Sequence, residues 1–423
     1  MIILRNVQLI EDSQALTSKR FRYTLEMLKV IKLLKFFAYF ILFLSLAIII
    51  FLDNPYKFTN SVVLKPPYEI DPVADEFHHS LFLADLHADT FTFVDTFMEA
   101  KDYGHIDYPR ARAGGYNLLT MSIATKIPFG MVFRKPEGID RFGNMIKVGA
   151  FSSLEPPLNW FSNYARGKWV IENTQRVVEK NPEQLLIIRF REDLQQLLNE
   201  SAEGSDRIGL VLSVEGAHIL EGNQERIEDL FTSGVRMLSL THAFDNEYGG
   251  ASEGIQKYGI TTEGEILLER MNSLGMIIDI AHASPNLVNA ILNKSTAPVV
   301  YSHGGIQGKC DIDRNLQDDV LEKIKANGGL IAIGFWGRVL CGDQVSDIVS
   351  SIRYIADRIG TENIALGSDF DGSVKTIFDA SGLGLLTDGL LQSGFKKDEI
   401  KRIMGDNYAR VLWQSLPIRN TQK

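Results

Sequence analysis

Three polar residues, Asp85, His87 and Asp89, close the apolar run LFLADLHADTF at residues 81–91. Period-two spacing puts them on one side of an extended chain, where two acids are costly to bury unless something positive sits among them. A metal ion is such a thing, although an H-x-D taken alone reads more simply as a solvated strand end. The question widens because other apolar runs end in Glu215, His242, His282, His303 and Asp369. Imidazoles and carboxylates without a thiolate suit Zn²⁺ or a similar borderline ion, not Ca²⁺ or an iron–sulfur cluster. His87, Asp89, Glu215, His282 and His303 are more ligands than a single open catalytic zinc needs, and they suit two ions bridged by one carboxylate. Two ions about 3.5–4 Å apart can share a water, lower its pKa towards neutrality and polarise a carbonyl oxygen. That is hydrolysis chemistry, and no Gly-rich dinucleotide loop, Walker loop or G-x-S-x-G elbow competes with it.

Side chains so distant in sequence can meet only if the elements that carry them converge. From about Ser80, short runs rich in Val, Ile and Leu alternate with longer amphipathic stretches, the pattern of β/α units around a parallel sheet. Eight strands are expected, at 81–87, 116–123, 209–215, 235–242, 275–282, 298–303, 329–335 and 363–369. Eight closes an α/β fold of the TIM-like (β/α)₈ kind, in which C-terminal strand ends meet on one face. Of the 8 histidines in the chain, His87, His242, His282 and His303 all fall at such ends. Helices are expected after Glu228 and at 263–275, 284–295, 317–329 and 345–360, several stopping at Gly as helix C-termini often do. The long gap between Ile123 and Gly209 must hold an insertion, at about 124–208, with helices in NYARGKWVIENTQRVVEK and REDLQQLLNE.

The chain has 423 residues, 45% of them hydrophobic, enough for a substantial core. A net charge of −9 with no long basic run beyond the N-terminal segment argues against nucleic acid as a partner. Residues 36–52, FFAYFILFLSLAIIIFL, carry no charge and are long enough to span a bilayer at the short end of the range. Lys19, Arg20, Arg22, Lys29, Lys32 and Lys35 precede the run, which predicts one transmembrane signal-anchor with the N-terminus in the cytoplasm and the rest outside. The organisation expected is therefore a basic segment (1–35), the anchor (36–52), an irregular tether with four prolines (53–79), the barrel domain (80–415) and a polar tail (416–423). Cys310 and Cys341 can form at most one disulfide, and their spacing is not that of a zinc finger. Asn199 and Asn293 stand in N-x-S sequons, which matter only in a eukaryotic secretory route.

Over most of residues 80–413 the chain resembles the membrane (renal) dipeptidase family of zinc metallopeptidases, within the amidohydrolase-like barrel group. The resemblance lies in DLHADT (85–90), SVEGAH (213–218), LTHAFDN (240–246), MNSLGMIIDIAHAS (271–284), APVVYSHGG (297–305), RNLQDD (314–319), ALGSDFDG (365–372) and GDNYARVL (405–412). It implies two Zn²⁺, one held by His87 and Asp89, the other by His282 and His303, bridged by Glu215 and a hydroxide that attacks the peptide bond of a dipeptide. It also implies that His242 contacts the substrate and stabilises the tetrahedral intermediate, that Arg314 pairs with the substrate's C-terminal carboxylate, and that Asp369 contacts the bridging water or substrate amine and shuttles a proton to the leaving nitrogen. Asp371 and Asp85 are expected to support these groups, Asp85 by hydrogen-bonding a ligand imidazole. The chain departs from the family's pattern at Ala88, where many members carry Asn, and at Asp313, an acid that could compete for the Arg314 guanidinium. Family members often dimerise, which allows a homodimer here. An amidohydrolase acting on a non-peptide amide, lactone or ester is the alternative enzyme, and a non-catalytic surface binding protein, which would hold little metal, is the alternative outside catalysis.

Overall fold

The computed structural model describes residues 26–45, 59–93, 97–127 and 144–419. Nine parallel strands form one sheet: β1 (Ala84–Ala88), β2 (Leu118–Ala124), β3 (Leu185–Ile187), β4 (Ile208–Glu215), β5 (Val235–Ser239), β6 (Ile277–Asp279), β7 (Val299–Tyr301), β8 (Leu330–Ile333) and β9 (Ile364–Leu366). The order is β1-β2-β4-β5-β6-β7-β8-β9, and the ring nearly closes where Ala88 pairs with Phe370 just past β9. There Asp89 N donates to Phe370 O at 2.8 Å and Asp369 N to His87 O at 3.1 Å. Every strand residue of β1, β2 and β4 is buried, as expected for parallel strands covered on both faces. Along β4 the apolar side chains alternate, Leu210, Leu212 and Val214 joining one buried cluster and Val211 the other.

All eight expected strands are present; β5, β6, β7 and β9 stop two or three residues short of His242, His282, His303 and Asp369, whereas β1 and β4 include His87 and Glu215. The sequence reading missed β3, which is three residues long and pairs with residues 208–210 on the edge of β4 that β5 takes over from Leu212. The expected helices form. Thr261 caps Thr262–Leu274 by accepting from Gly264 N, and the helix ends at Gly275 with φ 72°. Asn163–Lys180 and Arg191–Ala202 fill the insertion as expected.

Two N-terminal expectations need correction or restriction. Of the tether, the described part is bonded to the barrel: Val63 N and Leu64 N donate to Thr376 O and Ile377 O at 2.9 and 2.8 Å. Pro72–His78 within it is helical, with Asp71 accepting from Val73 N at 2.9 Å and proline in the first turn. As for the anchor, residues 26–45 are helical, but among the described residues no helix is long and apolar enough to cross a membrane. The remainder of 36–52 lies outside the described residues.

Candidate metal centre

The mouth of the barrel gathers the five expected ligands. Glu215 Oε1, at the end of β4, lies 3.1 Å from His282 Nε2, 3.5 Å from His303 Nε2 and 3.8 Å from His87 Nε2. Asp89 Oδ2 is 3.6 Å from His87 Nε2, and the two ring nitrogens of His282 and His303 face each other at 3.1 Å. All five residues are buried. The backbone is bent to achieve this, since His282 and Asp369 both sit at φ 61°, a region that non-glycine residues rarely enter and that collects at functional sites.

Do these residues fit a metal? Ligands about 2.0–2.1 Å from a tetrahedral Zn²⁺ stand roughly 3.3 Å apart, and the Glu215, His282 and His303 atoms are separated by 3.1, 3.5 and 3.1 Å. His87 Nε2, Asp89 Oδ1 and Glu215 Oε1 are buried without a hydrogen-bond partner among the described residues. Such groups cost free energy unless something satisfies them. Electrostatics point the same way. Burial disfavours a charged His87 ring, yet Asp89 and Glu215 outweigh it and lift the imidazole to about 10. His282 is held at about 9, burial and Arg314 being outweighed by Glu253 and Glu215. Burial, reinforced by His87 and Arg314, pushes His303 well below the ordinary histidine range. Without an ion, protons therefore supply the positive charge that the acids demand, and a cation would displace them. The donor set fits.

The other expected residues line or approach the same cavity. Arg314 is buried, with Nη1 donating to Tyr301 Oη at 3.0 Å, Nη2 to His303 O at 3.1 Å, and Nε 3.5 Å from Glu253 Oε1. Two of its five N–H bonds are thus engaged in hydrogen bonds, Nε faces the Glu253 carboxylate as an ion pair, and the guanidinium lines the cavity. Asp369 stands with His87 and Asp89 at ligand-like separations. Its carboxyl is raised well above the ordinary range by burial and by the charges of Asp89 and Glu215. Gly372 makes room for it, since a Cβ there would meet Asp369 Oδ1 at 2.0 Å. His242 Nε2 lies 3.4 Å from Glu215 Oε2, and burial lowers the ring to about 4, leaving it neutral with one N–H to donate.

Two expectations at the site are overturned. Asp85 does not reach an imidazole: its Oδ1 accepts the backbone N–H groups of His87 and Ser368 at 2.9 and 3.0 Å, tying the ends of β1 and β9 together. A carboxylate inside a strand end finds unpaired backbone donors nearer than a ring that points on towards the mouth. Asp313 does not compete for Arg314, because its side chain is exposed and pairs with Lys257. Asp371 accepts from Thr90 Oγ1, next in sequence to Asp89, and from His105 N, both at 2.7 Å.

Sequence reasoning missed two supporting acids. Asp279 ends β6 and accepts from Ser302 Oγ at 2.6 Å, and that hydroxyl lies 2.9 Å from His303 Nδ1. It falls inside the run GMIIDIAH, three residues before His282, an odd spacing that one-in-two alternation from the ligand does not select. Glu253 lies 3.1 Å from His282 Nδ1, in a loop with no periodic signal to mark it. Around them, a disulfide between Cys310 and Cys341 joins the loop that leads to Arg314 to the end of the short helix Gly337–Leu340, where Trp336 and Arg338 line the cavity.

Residues 73–423 match the family model for membrane dipeptidase (peptidase family M19). Among curated proteins, the chain is 35% identical over 216 residues to dipeptidase aclJ of Aspergillus oryzae, covering 49% of this chain and 51% of that protein. It is 29% identical to dipeptidase tcpJ of Claviceps purpurea, over 79% of this chain and 75% of that protein. The chain thus spans about half the length of the first of these relatives. Among solved structures, the probable dipeptidase PvdM of Pseudomonas aeruginosa has the same fold, with a TM-score of 0.67 at 20% identity over 81% of this chain and 97% of that one.

Proposed function

Because the chain belongs to the membrane dipeptidase family, peptidase family M19, we propose that it is a binuclear zinc dipeptidase that takes a short peptide by its two termini. The observation that carries this reading is the convergence of Glu215 Oε1 on His87, His282 and His303 within 3.8 Å, in a cavity that Arg314 and Asp369 also line. His87 and Asp89 would hold one ion and His282 and His303 the other, with Glu215 between them. Bound zinc supplies an activated water and polarises the scissile carbonyl. The protein's own groups do the rest. Arg314, whose guanidinium lines the cavity, pairs with the substrate's C-terminal carboxylate and fixes that end. The neutral His242 ring donates to the oxygen on which charge develops. Asp369, whose buried carboxyl favours the protonated form, passes a proton to the departing amine.

A panel of dipeptides tests this, assayed as purified, after chelation and after zinc is restored. Hydrolysis should be lost with chelator and return with zinc. Arg314→Ala should raise KM by on the order of 30- to 1000-fold, corresponding to about 2–4 kcal/mol for a buried charge-assisted bidentate contact, with metal content unchanged. No cleavage of any dipeptide by protein loaded with two metals would leave the non-peptide amide, lactone or ester reading, and absence of stoichiometric metal would leave the binding-protein reading.

We further propose that the barrel domain lies outside the cytoplasm, tethered through residues 36–52. Its support is the charge asymmetry around that run and the Cys310–Cys341 disulfide, a bond that persists in oxidising compartments. Non-reducing peptide mapping of protein isolated from its native membrane should find the 310 and 341 peptides linked, and impermeant protease should reach the domain in intact cells. Free thiols, or protection from the protease, would reverse the orientation.

A further inference from the structure

Glu253 touches both halves of the site. Its side chain is buried, 5% exposed, with Oε2 3.1 Å from His282 Nδ1 and Oε1 3.5 Å from Arg314 Nε. Ser252 Oγ donates to Oε2 at 2.6 Å. The loop that carries the pair is itself pinned to the end of β6: Ser252 N donates to His282 O at 2.7 Å, and Ala251 bridges Ala283. Residues 251–253 therefore hold both the backbone and the ring of one expected zinc ligand, while the far carboxylate oxygen faces the guanidinium.

We propose that Glu253 is a positioning residue that ties the recognition of the substrate's carboxylate to the metal centre. One oxygen draws the Nδ1 proton of His282 to itself, which fixes the tautomer and turns the Nε2 lone pair towards Glu215 and His303. The other orients the Arg314 guanidinium, so that its remaining N–H bonds point into the cavity. A carboxylate docking on Arg314 then presses on the same rigid group that sets a metal ligand. By linkage, metal occupancy and carboxylate affinity should each raise the other. The Arg314 half of this inference rests on the dipeptidase reading, whereas the His282 half needs only a metal.

Glu253→Gln is the informative variant. The amide is the same size but offers one oxygen and no charge, where His282 Nδ1–H needs an acceptor and the Arg314 guanidinium a negative partner. Competition with a chelator of known affinity should show one of two zinc ions bound 10- to 100-fold more weakly, without substrate present. KM for a good dipeptide should rise at least about tenfold with a smaller change in kcat. Arg314→Ala should raise KM yet leave zinc affinity alone, and the double variant should fall short of the combined effects, as coupled residues do. Glu253→Asp keeps the charge but is one methylene short, and it should lose one of the two effects more than the other. Wild-type zinc affinity and KM in either folded variant would overturn the proposal. Wild-type protein inert to every dipeptide would sink the dipeptidase reading instead, and the zinc competition would still decide the His282 half.

Discussion

Glu215→Gln should reduce kcat/KM for dipeptides on the order of 10³-fold or more and drop bound zinc from two ions to at most one. Glu215 Oε1 lies within 3.8 Å of a ring nitrogen of each of His87, His282 and His303, so its replacement by an amide removes the one negative charge shared by both proposed ligand pairs. The loss of several kcal/mol of Lewis-acid and nucleophile activation corresponds to a loss of that size. The fold should persist, because Gln fills the same volume at the end of β4 and the strand's backbone pairing with Ser239 and Ala124 is untouched. Inductively coupled plasma analysis of the purified variant, beside its thermal unfolding curve, separates this outcome from simple misfolding. Two zinc ions retained with near-normal turnover would mean that the carboxylate does not bridge.

The proposed chemistry was largely legible because reactive residues and strand ends coincide. His87, Glu215, His282 and His303 were found by asking where apolar runs stop, and that signal works because a parallel barrel aims its C-terminal ends at one mouth. It failed where position is set by loops. Glu253 gains its meaning only when Asp245, by accepting from Ala251 N and Gln256 N at 2.8 Å, folds residues 245–256 back over His282. Nothing periodic announces such a turn. Asp85 and Asp313 were misjudged for a related reason: each has a ring or guanidinium near it in sequence, but a backbone amide or Lys257 nearer in space. The helix at Pro72–His78 carried an ordinary start signal in its Asp-Pro pair, masked by the surrounding prolines that suggested a tether. Three-residue β3 is too short for alternation to register.

Asp369→Asn should lower kcat about 10²- to 10⁴-fold, the usual contribution of a positioned proton donor, with zinc content and KM little changed. The substitution isolates the proton. Asp369 has a left-handed backbone, φ 61°, and asparagine is the residue that best tolerates that region apart from glycine, so the loop need not rearrange. The backbone bond from Asp369 N to His87 O survives, and the side chain keeps its volume against Gly372. What disappears is an acidic hydrogen close to Asp89 and His87, in a setting where burial and the neighbouring acids favour its retention. Bound zinc would pull the carboxyl towards ionisation, so during turnover the residue can accept a proton from water as readily as it later returns one. An amine cannot leave as its anion, but a phenolate can. A matched ester with an acidic phenol as leaving group should therefore be spared much of the loss seen with a dipeptide. Equal losses on both substrates would assign Asp369 to holding the nucleophile or the metal, and unchanged kcat on the dipeptide would remove it from the proton path altogether.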